Sequence, residues 1–107
     1  MFHEIEEGYK VSIPVYEGPL DLLLNLIEQA ELDITRVALA QVTDQFLAYL
    51  QNLTIVSPEE ISAFLVIAAK LVQIKSEALL PRPPARAEGE EDPAEALARQ
   101  LRIYKRF

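Results

Sequence analysis

The sequence predicts an all-α fold: a small bundle of helix-turn-helix-like order with a long third helix, a short extended segment at the N-terminus and a fourth helix after a Pro-rich linker. Three observations carry that prediction. Apolar residues recur at helical spacing in four separate stretches, each opened by a proline or a capping residue. Only one stretch alternates with a period of two, so the chain offers no second strand to pair with it. Half of the 107 residues are hydrophobic and a quarter are charged, enough apolar material for a core and too much for a disordered chain.

The period-two stretch runs from Tyr9 to Tyr16, where Tyr9, Val11, Ile13 and Val15 alternate with Lys10, Ser12, Pro14 and Tyr16. Pro14 restricts it to an edge strand or an extended segment lying over helices. Glu17-Gly18-Pro19 breaks the pattern, and Pro19 suits the first helical position, where a missing N–H has no partner to lose. Helix one follows with Leu20, Leu23, Leu24 and Ile27 on one face, ending between Ala30 and Asp33. Helix two lies between Arg36 and Leu53, where Leu39, Val42, Phe46, Tyr49 and Leu53 step by three and four residues; Asp33 or Thr35 caps it. Ser57-Pro58-Glu59-Glu60 reads as a capping box, and the helix it opens runs to about Leu80, because Pro81, Pro83 and Pro84 cannot continue it.

Residues 81–93 hold four prolines, one glycine and four acids, which reads as a linker. Asp92-Pro93-Ala94-Glu95 repeats the cap pattern, with Leu97, Leu101 and Tyr104 following at helical spacing. That gives a helical domain over 1–80, a linker over 81–93 and, over 94–107, a truncated helix that starts a further region. The fourth helix reaches Phe107 without a stop signal, so the natural chain is expected to continue. Whether 93–107 folds back on the domain is left open by the sequence.

Composition removes several function classes. With no cysteine and a single histidine, His3, neither a thiol nucleophile nor a His/Cys zinc site can be built. Glycine occurs only at 8, 18 and 89, too sparsely for a phosphate-cradling loop or a serine elbow. The carboxylate pairs Glu59/Glu60 and Glu90/Glu91 fall in a helix cap and a solvated linker, not in a cleft. No enzyme, cofactor or small-molecule site is therefore expected. Met1 to Lys10 is no secretory signal, and the apolar run Ile61 to Ile74 is short of the roughly 20 residues that span a bilayer. A net charge of −7 repels phosphate backbones and anionic lipid, so membrane or strong nucleic-acid binding is not expected. The basic residues Arg99, Arg102, Lys105 and Arg106 suit a helix C-terminus.

Helix three is the informative element. Eleven of the fourteen residues from Ile61 to Ile74 are apolar and form two stripes. Phe64, Ile67, Leu71, Ile74 and Ala78 make the bulkier one, assigned to the internal core. Ile61, Leu65, Ala68, Val72 and Leu79 make the other, assigned to a partner helix. Leaving four large side chains of that second stripe in water forgoes about 6 to 12 kcal/mol, comparable with the stability of a whole domain.

Tyr16-Glu17-Gly18-Pro19-Leu20-Asp21-Leu22-Leu23-Leu24, Leu32-Asp33-Ile34, Ala68-Ala69-Lys70-Leu71 and Ile74-Lys75-Ser76-Glu77-Ala78-Leu79-Leu80-Pro81 resemble the N-terminal part of the segregation and condensation protein A family, the bacterial kleisins. Tyr16 stands where the family often has Phe, and Glu77 where a basic residue is common. The resemblance implies a non-enzymatic subunit, cytoplasmic and nucleoid-associated, that bridges ATPases of the structural-maintenance-of-chromosomes class in chromosome condensation and segregation. It implies that helix three joins the neck coiled coil of that ATPase, making Ile61, Leu65, Ala68, Ala69, Val72, Lys75, Ser76 and Leu79 the candidate partner-binding residues. The region after Pro81 would bind segregation and condensation protein B. Two rival readings are a helix-turn-helix DNA-binding regulator and a self-associating bundle.

Overall fold

A computed structural model describes residues 16–52 and 57–106 as four α-helices: α1 (Pro19–Gln29), α2 (Arg36–Gln51), α3 (Pro58–Ala78) and α4 (Pro93–Arg106). All four expected helices are present. The expected extended segment lies outside the described residues except for Tyr16, and no strand occurs among those described.

Local chemistry sets each boundary. α1 opens at Gly18 and Pro19, and the Asp21 carboxylate accepts the Glu17 backbone N–H at 3.0 Å. It closes in a Schellman motif: Glu31 donates to the Glu28 carbonyl at 3.0 Å and Leu32 to the Ile27 carbonyl at 3.1 Å. Glu31 holds the left-handed position, φ 58°, that glycine fills most readily. The choice of cap for α2 resolves to Thr35, whose hydroxyl oxygen accepts the Ala38 N–H at 3.2 Å. Ser57 caps α3 as expected, accepting the Glu60 N–H at 3.2 Å, while its hydroxyl donates to the Glu60 carboxylate at 3.3 Å. α3 stops at Ala78, two residues short of the expected Leu80, because the Leu79 and Leu80 amides turn back onto the last carbonyls before Pro81.

The four helices enclose one core. α1 contributes Leu22, Leu23 and Ile27; α2 contributes Leu39, Val42 and Phe46; α3 contributes Phe64, Ile67, Leu71 and Ile74; α4 contributes Leu97 and Leu101. α2 packs along α3, and α4 touches all three other helices. The stripe of α3 assigned to the interior is therefore interior, with one exception: Ala78 is exposed, since the core ends a turn before it. Thr43 is the buried polar side chain among the described residues; its hydroxyl donates to the Leu39 carbonyl at 2.8 Å, with the Leu71 carbonyl of α3 at 3.4 Å. Tyr16 hydrogen-bonds Asn25 at 3.0 Å and meets Tyr49 edge-on at 5.3 Å, and Tyr49 lies over Phe64. Burial, with the Tyr16 phenol second, raises the Tyr49 pKa.

The question the sequence leaves open about 93–107 is answered by Ala94, Leu97, Ala98 and Leu101, all buried in the common core. Ion pairs hold the intervening segment against the bundle. Arg86 pairs with Glu77 at the end of α3 and lies 3.8 Å from Asp92, while Arg36 at the start of α2 also pairs with Asp92. Asp92 in turn accepts the Ala94 N–H at 3.0 Å, capping α4. Gly89 supplies the positive φ, 83°, of the turn between Ala87 and Glu90.

Candidate functional site

α3 buries one side and leaves the other to solvent. Ile61, Leu65, Val72 and Leu79, all assigned to a partner by the sequence, are exposed, Leu79 by 76% and Leu65 by 56%. Ala69 and Ser76 lie exposed between them. Two assigned residues are placed otherwise. Ala68 is buried: four residues on from Phe64 and three before Leu71, it shares their face and joins the core. Lys75 is half-buried and turned to α2, its Nζ 2.8 and 2.7 Å from the two carboxylate oxygens of Asp44. It bounds the open face rather than lying in it.

Val66 and Leu80, about half exposed, belong to the same face and went unassigned. Their signal is legible once small polar residues are counted with the apolar ones. Ser62, Leu65, Ala69, Val72, Ser76 and Leu79 step by three, four, three, four and three residues, with Val66, Gln73 and Leu80 alongside. The apolar stripe of the sequence takes Ala68 where the exposed row has Ala69, while Leu65, Val72 and Leu79 are common to both, and Ala69 and Ser76 entered through the resemblance.

No charged residue lies in this arc, although the chain as a whole is a quarter charged. From Ser62 to Leu79 the strip is about 26 Å long at 1.5 Å per residue and about one helix wide. Its area is on the order of 300 Å², at the lower end of the range for the largest patch on a typical monomer, which is often functional. Charges sit beyond its margins, at Lys70 on one side and at the Lys75–Asp44 pair on the other. The face can therefore associate by burying hydrocarbon, and it offers no group for proton transfer.

Tyr104 lines a cleft with Val66 at the edge of this face, and Glu77 accepts the Gln73 amide at 3.2 Å at its margin. Burial, reinforced by the Asp21 and Glu17 carboxylates, raises the Tyr104 pKa. The Arg99 guanidinium lowers the Glu91 pKa by hydrogen bonding. Burial pushes the Asp92 carboxyl up, but the Arg36 bond, the Ala94 amide and the charges of Arg36 and Arg86 outweigh it and hold that carboxyl below its ordinary value. No group of three or more potential metal ligands occurs among the described residues, and none of the described helices is long and apolar enough to cross a membrane.

The family profile described as segregation and condensation protein ScpA matches residues 26–107. Curated relatives named segregation and condensation protein A include that of Desulfitobacterium hafniense strain DCB-2, 39% identical over 98% of this chain and 41% of its own length. Those of Oceanobacillus iheyensis and Listeria welshimeri are 40% and 42% identical, each over 96% of this chain and 43% of their own length. The chain thus spans about two fifths of the length of these relatives.

Proposed function

The chain belongs to the segregation and condensation protein A family, and on that premise we propose that it is the SMC-binding module of a non-enzymatic kleisin subunit, docking through the open face of α3 onto the neck coiled coil of an SMC ATPase. The observation that carries this reading is the uncharged apolar arc of α3, Leu65, Val72 and Leu79 above all, exposed on a bundle whose core is already filled without it. A coiled coil is the natural occupant of a helix face with three-four spacing, since added helices continue the same packing. The net charge of −7 suits a partner with a basic surface beside its apolar seam.

The mechanism is bridging. α3 adds to the coiled coil at the neck of one ATPase arm, and the rest of the full-length protein reaches a second ATPase, so ATP-driven movement of the arms acts on chromosomal DNA held between them. The chain contributes attachment and leaves nucleotide chemistry to its partner. The region after Pro81 is the second attachment, to segregation and condensation protein B, for which α4 presents its outward side with Arg99, Ile103 and Arg106, while Arg102 donates to the Ile34 carbonyl at 2.7 Å. The rival DNA-binding reading needs a recognition helix rich in Arg, Lys, Asn or Gln, whereas the open face of α3 offers hydrocarbon.

Calorimetric titration of the chain into the purified neck coiled coil of its cognate ATPase tests the reading. Saturable one-to-one binding is expected, weakened by about 100-fold or more in a Leu65→Glu, Val72→Glu variant that keeps its helicity, since each new carboxylate would be buried unpaired. Unchanged binding by that variant moves the interface elsewhere. Absence of binding by the natural chain, with salt-sensitive retardation of duplex DNA, overturns the reading in favour of a DNA binder.

A further inference from the structure

We infer that α3 accepts its partner helix at close range and in a single phase of its heptads, with the partner's large side chains seated over Ala69 and Ser76 and its small ones over Leu65, Val72 and Leu79. This rests on the docking reading above and specifies the form of that same contact.

Within the exposed row, one of the two heptad positions is small in every repeat, Ser62, Ala69 and Ser76, and the other is large, Leu65, Val72 and Leu79. A seam with large residues at both positions holds a neighbouring helix near the upper end of the 8–10 Å range of axis separations. Alternation of large and small lets the axes approach toward about 8 Å, provided that the facing helix alternates in the opposite phase. The large residues then act as knobs, and the gaps at Ala69 and Ser76 as holes.

Only an α-helix can use this pattern. Its repeat of seven follows a left-handed supercoil along the whole strip, whereas a strand or loop has no matching period. A second copy of the chain would carry the matching pattern, but each copy brings a net charge of −7. The occupant is therefore a heptad-patterned helix of the partner coiled coil. A slip of one helical turn would set its large side chains on Leu65, Val72 and Leu79. The face thereby selects the phase of the partner's heptads as well as setting affinity.

Leucine placed in the holes tests this by the sign of the change. In Ala69→Leu and Ser76→Leu, both at exposed helical positions, leucine is a good helix former, so folding persists and helicity and melting verify it. If the face worked by apolar area alone, each leucine would tighten binding to the neck coiled coil in calorimetry. Close packing instead predicts weakening of about tenfold or more at each site. Gln45→Leu, which adds the same apolar group at an exposed position of α2 away from the row, should bind within about threefold of the natural chain. Equal or tighter binding by both leucine variants, with loss in Leu65→Glu, Val72→Glu, would overturn the close packing while leaving the docking reading intact. Absence of binding by the natural chain would overturn both, and a dimer by sedimentation that the leucine variants abolish would assign the face to a second copy instead.

Discussion

Leu101→Ala is the sharpest perturbation of the fold, because it asks whether α4 belongs to the cooperative unit. Leu101 is fully buried, and Leu97 beside it is 1% exposed, so truncation removes three buried carbons and opens a cavity in the common core. Substitutions of this kind span about 2–5 kcal/mol. α4 is held to the bundle on one side only and can settle partway into the gap, so about 3 kcal/mol is expected. For a domain of this size that lowers the melting temperature by about 12–20 °C. Urea denaturation followed by far-ultraviolet circular dichroism gives the value directly, with Ile103→Ala as control: half exposed on the same helix, it should change stability by less than about 0.5 kcal/mol. Indistinguishable stability of the two variants would refute a shared core. So would a loss of helical signal before the main transition, which would mean that α4 melts alone.

Two further outcomes concern the ends of helices. Glu31→Gly should stabilise the protein by about 0.5–1 kcal/mol, because relief of the left-handed strain exceeds the entropy that glycine adds to the unfolded chain; a lower melting temperature would contradict this. The Asp92 carboxyl titrates below its ordinary value in the folded state, so its contribution is fully present above the unfolded pKa and is lost as pH falls through the folded one. Between pH 5 and 2 the natural chain should therefore lose more stability than Asp92→Asn, and parallel acid profiles of the two would show that the Arg36 and Arg86 pairs contribute nothing.

Local chemistry was the most legible part of the chain. Pro19, Ser57 and Pro58 mark helix starts because their signals act within one turn, and the α3 core residues Phe64, Ile67, Leu71 and Ile74 follow from periodicity alone. Thr35 could not be preferred over Asp33 from sequence, since both carry a suitable oxygen and only the backbone geometry chooses. The docking of α4 was hidden for a different reason. Arg36, the partner of Asp92, lies 56 residues away in sequence, and a Pro- and Glu-rich segment looks alike whether solvated or pinned. At the candidate site, Leu65, Val72 and Leu79 were legible as surplus hydrocarbon. Ala68 was not, because a methyl group suits either side of a helix and only the rotation of α3 against its neighbours decides.

The fourteen residues between α3 and α4, at 79–92, turn the docking of α4 into an intramolecular equilibrium. A tether of that length confines α4 near its groove at an effective concentration of about a millimolar, and the ion pairs of Arg86 and Asp92 shorten its excursions further. A separate molecule with the same intrinsic affinity for the groove as α4, at micromolar concentration, would displace it from only about one chain in a thousand. Whatever protein engages α4 therefore meets it as a docked helix, through Arg99, Ile103 and Arg106, and inherits its orientation relative to α3.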